Sequence, residues 1–208
     1  MIRYDGCSEI QPEKNSISLI QVGCLDPELF TKMHAGLQSF VNFVSGEAKK
    51  PTVTTGFLSE PYFPVRQYSG WESAYSSLLS NADLGPITIG ITSQGFWETT
   101  PKPRFIFCSV VGPGAAALSL YRFQRMNTNR LARIQKEVIK GLGMALGIGH
   151  CNDPSCIQSF HWHDKDFDRN TRVCESCVRT IKDRFRQCFD DKTGREHNYC
   201  RQNNEVVR

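Results

Sequence analysis

Four cysteines in the last third of the chain stand in two short pairs. Four residues separate Cys151 from Cys156, seventeen separate Cys156 from Cys174, and two separate Cys174 from Cys177. Each pair can deliver two thiolates from a tight turn, and four thiolates at about 2.3 Å close the tetrahedron of a structural zinc. One tightly bound zinc per chain is the expectation. The other five cysteines, Cys7, Cys24, Cys108, Cys188 and Cys200, show no such pairing and read as packing residues or surface thiols. The N-terminus, "MIRYDGCSEIQPEKNS", carries charges and a proline where a secretion signal would need an unbroken apolar segment. The cytoplasm is the expected location, and its reducing pool argues against a disulfide framework.

Immediately before the first of these cysteines the chain reads "VIKGLGMALGIGHC", with Gly141, Gly143, Gly147 and Gly149 set among residues that would otherwise build a buried helix. Each interior glycine disfavours a helix by roughly 1 kcal/mol relative to alanine. The stretch therefore demands a geometric explanation, and it ends on His150, a residue able to bind metal or move a proton.

The elements that must position these groups follow from pattern. Of the 208 residues 39% are hydrophobic and 22% charged, which suits one domain with a sizeable core and no membrane span. "SISLIQVG" (16–23), "PTVTTGFL" (51–58), "GPITIGITSQ" (85–94), "RFIFCSVVG" (104–112) and "AAALSLYRF" (115–123) read as strands. A helix is expected from the Asp26 cap, with Leu29, Phe30, Met33, Leu37, Phe40, Val41 and Phe43 at helical spacing. Further helices are expected over 70–81, 128–147 and 174–189, the last through Cys177, Ile181, Phe185 and Cys188. Between them, 151–173 has little periodicity and suits an irregular loop held from inside. The fold class is α/β or α+β in one unit.

Cys-x4-Cys-x17-Cys-x2-Cys directly after a helix ending "GIGHC" resembles the archaemetzincins, peptidase family M54, zinc metallopeptidases of the metzincin clan. In that family the helix carries His-Glu-x-x-His-x-x-Gly-x-x-His-Cys, and the four cysteines hold a second, structural zinc. Gly147, His150, Cys151, Cys156, Cys174 and Cys177 fall on this pattern without insertion or deletion. "GPITIGITSQGFW", "RFIFCSVVGPGAAALSLYRF" and "LARIQKEVIK" resemble the family's second half, and "SISLIQVG" its first strand. The resemblance implies a metzincin-like single domain with a mixed, twisted sheet and a long "active-site" helix. It divides the chain into 1–147, up to the glycine turn, and 148–208, the zinc-stabilised cysteine-rich portion. The glycine matching Gly147 would end the helix and turn the chain so that His150 comes back toward it.

The same comparison finds the chemistry missing. Lys140 stands at the first zinc-binding histidine, Met144 at the second, and Gly141 at the glutamate that serves as general base. Gln158 stands at the methionine turn. Histidines at i and i+4 place two imidazoles on one helix face, with the glutamate near the metal-bound water. Here a cation, a side-chain-free position and a thioether replace them. The implied protein is a pseudopeptidase that keeps one structural zinc and a cleft for an extended peptide or protein segment along "AAALSLYRF", without a catalytic zinc.

Two other classes stand beside this reading. One is an active peptidase with a metal site rebuilt from His150, His161 and His163, with Asp164 adjacent. Glu137 would be its nearest carboxylate, one turn before the lost glutamate and on a different face. The other is a nucleic-acid-binding zinc module using Arg179, Lys182, Arg184 and Arg186. Those four side chains spread around a helix instead of lining one stripe, and the net charge of +4 is mild for a dedicated binder. A nucleotide loop in "GLGMALG" is disfavoured because no strand precedes it.

Overall fold

The computed structural model describes residues 16–46, 50–58, 75, 79, 84–97, 105–112, 114–126, 129–161 and 165–189. Strands β1 (Ser16–Val22), β2 (Thr52–Leu58), β3 (Ile87–Thr92), β6 (Cys108–Gly112) and β7 (Ala115–Ser119) form a five-stranded sheet in the order β2-β1-β3-β7-β6. The first four in that order run parallel, and β6 pairs antiparallel with β7 at one edge. Strands β4 (Phe96–Trp97) and β5 (Phe105–Ile106) make a separate two-stranded ribbon. The sequence "ITIGIT" alternates isoleucine with Thr88, Gly90 and Thr92, yet all six residues of β3 are buried at the centre of the sheet, covered on both faces.

Helix α1 (Pro27–Ser45) starts as expected, with the Asp26 carboxylate accepting from the N–H groups of Glu28 and Leu29 and with Pro27 in the first turn. It buries Met33, Leu37, Val41 and Val44. Phe43, expected on that face, is 65% exposed, because a seven-residue apolar list at mixed spacing is wider than the stripe one sheet can cover. Helices α2 (Arg130–Ala145) and α4 (Glu175–Phe189) pack on the same side of the sheet as α1, sharing the core with Ile17, Leu19, Ile89 and Leu118. A second cluster on the opposite face gathers Ile20, Val22, Phe96 and Ala117 with Tyr75 and Leu79. Those last two are the described residues of the helix expected over 70–81, and both are helical and buried; the rest of that helix lies outside the described residues. Among the described residues no helix is long and apolar enough to cross a membrane.

Three expectations change. The run 104–112 is divided at Phe107, its first half leaving the main sheet to join β4. The strand expected over 115–123 stops at Ser119, and residues Arg122–Arg125 form a 3-10 turn. Its neighbour β3 ends at Thr92, so beyond Leu120, whose N–H reaches the Thr92 carbonyl, there is no ladder left to join. Among the described residues of 151–173 there is one short helix, α3 (Asp166–Arg169).

Two of the four glycines in the glycine-rich stretch are required by geometry. Gly147 lies at φ 74°, in the left-handed region, just past the end of α2. Its N–H donates to the Met144 carbonyl at 2.9 Å and that of Ile148 to the Gly143 carbonyl at 2.9 Å, the reciprocal pair of a Schellman stop. Gly143 is needed for contact: a Cβ there would lie 2.4 Å from Nε2 of Gln158. A Cβ on Gly141 would make ordinary contacts of 3.5 Å with Cys108 and Ile89, and one on Gly149 would meet nothing within 4 Å.

Alanine substitutions should therefore separate by chemical denaturation. Gly147→Ala is expected to destabilise by about 1–2 kcal/mol through the left-handed backbone. Gly143→Ala should lose about 1 kcal/mol by displacing Gln158. Gly141→Ala should be neutral or stabilising by up to about 1 kcal/mol, since it relieves a helix-interior glycine without a clash. Equal effects at all three positions would refute this assignment.

Candidate functional site

The turn at Gly147 delivers the chain into the cysteine loop, which is held by backbone pairing. The Cys151 N–H donates to Gln158 O at 3.0 Å, the Cys156 N–H to Asp153 O at 3.0 Å, and the Ile157 N–H to Arg172 O at 2.9 Å. Isolated bridges join Cys151 to Ser159 and Cys156 to Arg172. Cys174 immediately precedes α4, where its carbonyl accepts from the Val178 N–H, and Cys177 lies in the helix's first turn. Two thiols thus sit at a helix N-terminus, whose positive end favours thiolates.

The four sulfurs of Cys151, Cys156, Cys174 and Cys177 lie within 4.8 Å of one another, the one group of three or more metal-binding side chains among the described residues. Cys151 Sγ and Cys174 Sγ are 3.7 Å apart. A tetrahedron with metal–sulfur bonds of about 2.3 Å has edges of about 3.8 Å, so this donor set fits a zinc-sized ion. Backbone N–H groups already point at the sulfurs: Asp153 to Cys151 at 3.4 Å, and Gln158 and Cys174 to Cys156 at 3.4 and 3.3 Å. Burial works against ionising Cys174, yet hydrogen bonds from the Cys177 N–H and the neighbouring thiols bring its pKa below the ordinary thiol value. Burial pushes Cys156 and Cys177 up, and a cation sharing the site would favour their thiolate forms. Cys188, expected as a packing thiol, is buried but disulfide-bonded, which spacing alone did not signal.

One turn before the Gly147 stop, α2 presents the degenerate motif. Lys140 is 4% exposed, Gly141 is buried, and Met144 packs partly buried against the core. Lys140 Nζ lies 5.8 Å from the centroid of the Phe160 ring, and the His150 ring meets the same phenyl edge-on at 4.7 Å. The turn does return His150 toward the helix, but an aromatic ring lies against both side chains. Although solvent reaches His150, partial desolvation and then the Lys140 charge hold its pKa below the ordinary imidazole value.

Glu137, which sequence spacing assigned to another face, shares its face with Gly141: Cys108 feels the Glu137 charge and is also the nearest atom to a Cβ on Gly141. Residues four apart lie only about 40° apart around a helix, which is the physical reason. Glu137 is fully buried, and its Oε2 accepts from His161 Nδ1 at 3.0 Å. Asn170 Nδ2 contacts His161 Nε2 and donates to Ser159 Oγ at 3.1 Å. With the amide in this orientation Nε2 accepts and Nδ1–H donates, so both nitrogens of His161 are engaged. Burial alone would raise the Glu137 pKa; the Lys140 charge, followed by the His161 hydrogen bond, instead holds it below the usual carboxylate range.

Of the residues named from sequence, the structure joins Cys151, Cys156, Cys174 and Cys177 in one cluster. It brings His150 to Lys140 through Phe160 and ties His161 to Glu137. His163 and Asp164 lie outside the described residues. Phe160, Asn170 and the inward role of Glu137 were missed. The i, i+3 spacing of Glu137 and Lys140 was the available signal that the two charges lie on one side of the helix; nothing in the sequence pointed to Phe160 or Asn170.

Comparison with known proteins agrees with this geometry. The family model described as Peptidase family M54 matches residues 83–183. The chain is similar to the archaemetzincin of Pyrococcus horikoshii, 31% identical over 136 residues that cover 61% of this chain and 65% of that protein, just under two thirds of its length. The archaemetzincin of Halobacterium salinarum is 29% identical over 139 residues, covering 59% of this chain and 80% of its own. The crystal structure of archaemetzincin from Methanopyrus kandleri superposes with a TM-score of 0.64 at 22% identity, covering 84% of this chain and 98% of that one. A zinc-dependent peptidase from Methanocorpusculum labreanum gives 0.58 at 19% identity, over 80% and 100%. At such identities the superpositions establish the fold alone. Motif spacing, sequence similarity and architecture together make this chain similar to the archaemetzincins, with a zinc-peptidase-like fold and a four-cysteine cluster.

Proposed function

We propose that this protein has lost peptidase activity, retains one structural zinc on Cys151, Cys156, Cys174 and Cys177, and acts by binding instead of cleaving. The observation that carries the reading is the identity of the three motif positions. Lys140 offers a cation, Met144 a soft thioether turned to the core, and Gly141 no side chain. A catalytic zinc needs three ligands, an open position and a base to take a proton from its bound water. The residues on helix α2 do not fit that ion. The four cysteines do fit one, by donor type and sulfur separation.

The rebuilt-site alternative loses support because His161 has both ring nitrogens committed, to Glu137 and Asn170. The nucleic-acid alternative gains none: on α4, Arg186 faces Asp183 and Arg184 faces Gln187, while Arg179 lies elsewhere on the surface. The peptide-binding edge needs relocation. Strand β7, expected to accept an extended segment, is paired on both sides, by β3 and β6. The edge on that side of the sheet is β6, where Val110 is 37% exposed and a bulge falls between Val110 and Gly112. An extended peptide or protein segment would add to β6 by main-chain hydrogen bonds.

Native mass spectrometry of the purified chain should find one zinc, and a count of two would overturn the reading. Replacing Cys174 by serine should release that zinc and loosen residues 151–189, read as faster amide exchange there, because metal binding and folding of such loops are linked. Peptide and unfolded-protein substrates should show no cleavage above background at any added zinc concentration. Chelator-sensitive hydrolysis that disappears with His150→Ala or His163→Ala would restore the rebuilt-site alternative.

A further inference from the structure

Glu137 and Lys140 take no part in the proposed function, yet both are charged side chains inside the protein, 0% and 4% exposed. Isolated charges in such surroundings are strongly unfavourable, and breaking a buried pair leaves the survivor uncompensated. They stand three residues apart on α2, and the Lys140 charge acts on the Glu137 carboxylate. Glu137 Oε1 is buried without a hydrogen-bond partner among the described residues, so one His161 hydrogen bond on Oε2 does not satisfy the carboxylate.

Acid–base catalysis by this group fails on geometry. Both nitrogens of His161 are occupied within the fold. The nearest nucleophile, Cys108, is buried, and desolvation followed by the Glu137 charge pushes its thiol up, away from the reactive thiolate. The cluster is closed to substrate. What it does do is join α2 to the loop beyond Cys156 from two directions, through Glu137 to His161 and through Lys140 to Phe160.

We infer that Lys140 is the resident cation of the former metal position. Its ammonium, covered by the Phe160 ring and balanced by Glu137, takes over the part a metal ion would play in holding helix α2 to the following loop. The inference rests on the reading that the catalytic zinc is lost. A metal ion placed there would draw the imidazole of His150 toward the helix; in this chain His150 instead meets Phe160 edge-on, and the Lys140 ammonium lies 5.8 Å from the centroid of the same ring. The charge-balanced core of the cleft then requires no ion.

A double-mutant cycle on the full, zinc-loaded chain tests this, using Lys140→Met, Glu137→Gln and the two together. Thermal melting is the readout, with zinc per chain as a check on the cysteine cluster. Each single variant should lower the melting temperature by roughly 10 °C or more, since it strands a buried charge, while one zinc remains. The double variant should recover at least about half of the summed loss. Additive losses, or a Lys140→Met protein that melts with the wild type, overturn the inference. If Lys140→Met does not accumulate as folded protein, a folded double variant supports it and an unfolded one overturns it. The outcomes are separable from the loss of activity: a second zinc or real hydrolysis in the wild type refutes the proposed function, whereas an additive cycle with one zinc and no hydrolysis refutes only the role of Lys140.

Discussion

Burying a carboxylate at the middle of helix α2 imposes a constraint that the surrounding residues answer. Glu137 faces the sheet beside Cys108 and cannot reach water, so its charge must be met from inside the protein. Lys140 supplies opposite charge from the same helix, and His161 supplies the hydrogen bond from the loop. His161 in turn is fixed by Asn170 and packs, tilted, with its ring centroid 4.5 Å from that of Phe167, which is buried against Phe107 and Phe123. The loop is thereby attached to the sheet as well as the helix. Farther along α2, Arg133 pairs with Asp168 at 2.7 Å and Lys136 donates to the Phe167 carbonyl at 2.6 Å, so the short helix α3 is clamped along the same face.

The parts of this arrangement that repeat with a period were legible in the sequence. β3 sets isoleucine at every second position and is buried throughout; α1 announces itself by an aspartate cap and proline; the cysteine pairs carry their separation openly. The glycine at 147 was legible for a different reason, since a helix followed by glycine and an apolar residue matches a known stop, and the hydrogen bonds of Gly147 and Ile148 make it one. What periodicity could not supply was the partner of each polar side chain. Gln158, standing at the methionine-turn position, is 1% exposed and donates to the Ile139 carbonyl, and it is the contact with Gln158 that requires glycine at 143. The glycine at 143 is thus set by local packing, which no pattern in the sequence displays. The edge strand was misplaced for a related reason: hairpin order along the chain does not say which of its two strands docks beside β3, and here the second one does.

The cysteine cluster and the polar core of the cleft share a short piece of chain, and this decides how they depend on each other. Cys156 contributes its sulfur to the cluster; two residues later Gln158 presses on α2, and His161 reaches Glu137 three residues beyond that. The Cys151 N–H bonded to the Gln158 carbonyl makes the loop return on itself between these contacts. A loop of this length has little room to satisfy one end while the other wanders. Ordering by a metal at the cysteines therefore lowers the entropic cost of seating His161 and Phe160 at the helix, because the residues between are already fixed. The reverse also holds by linkage: contacts that seat His161 and Phe160 favour the loop conformation in which the four sulfurs converge. In a peptidase with ions at both places, each metal would order its own end. On the proposed function, one ion at the four thiols, with Glu137 bonded to His161 and Lys140 beside Phe160 at the other end, holds the loop against the helix.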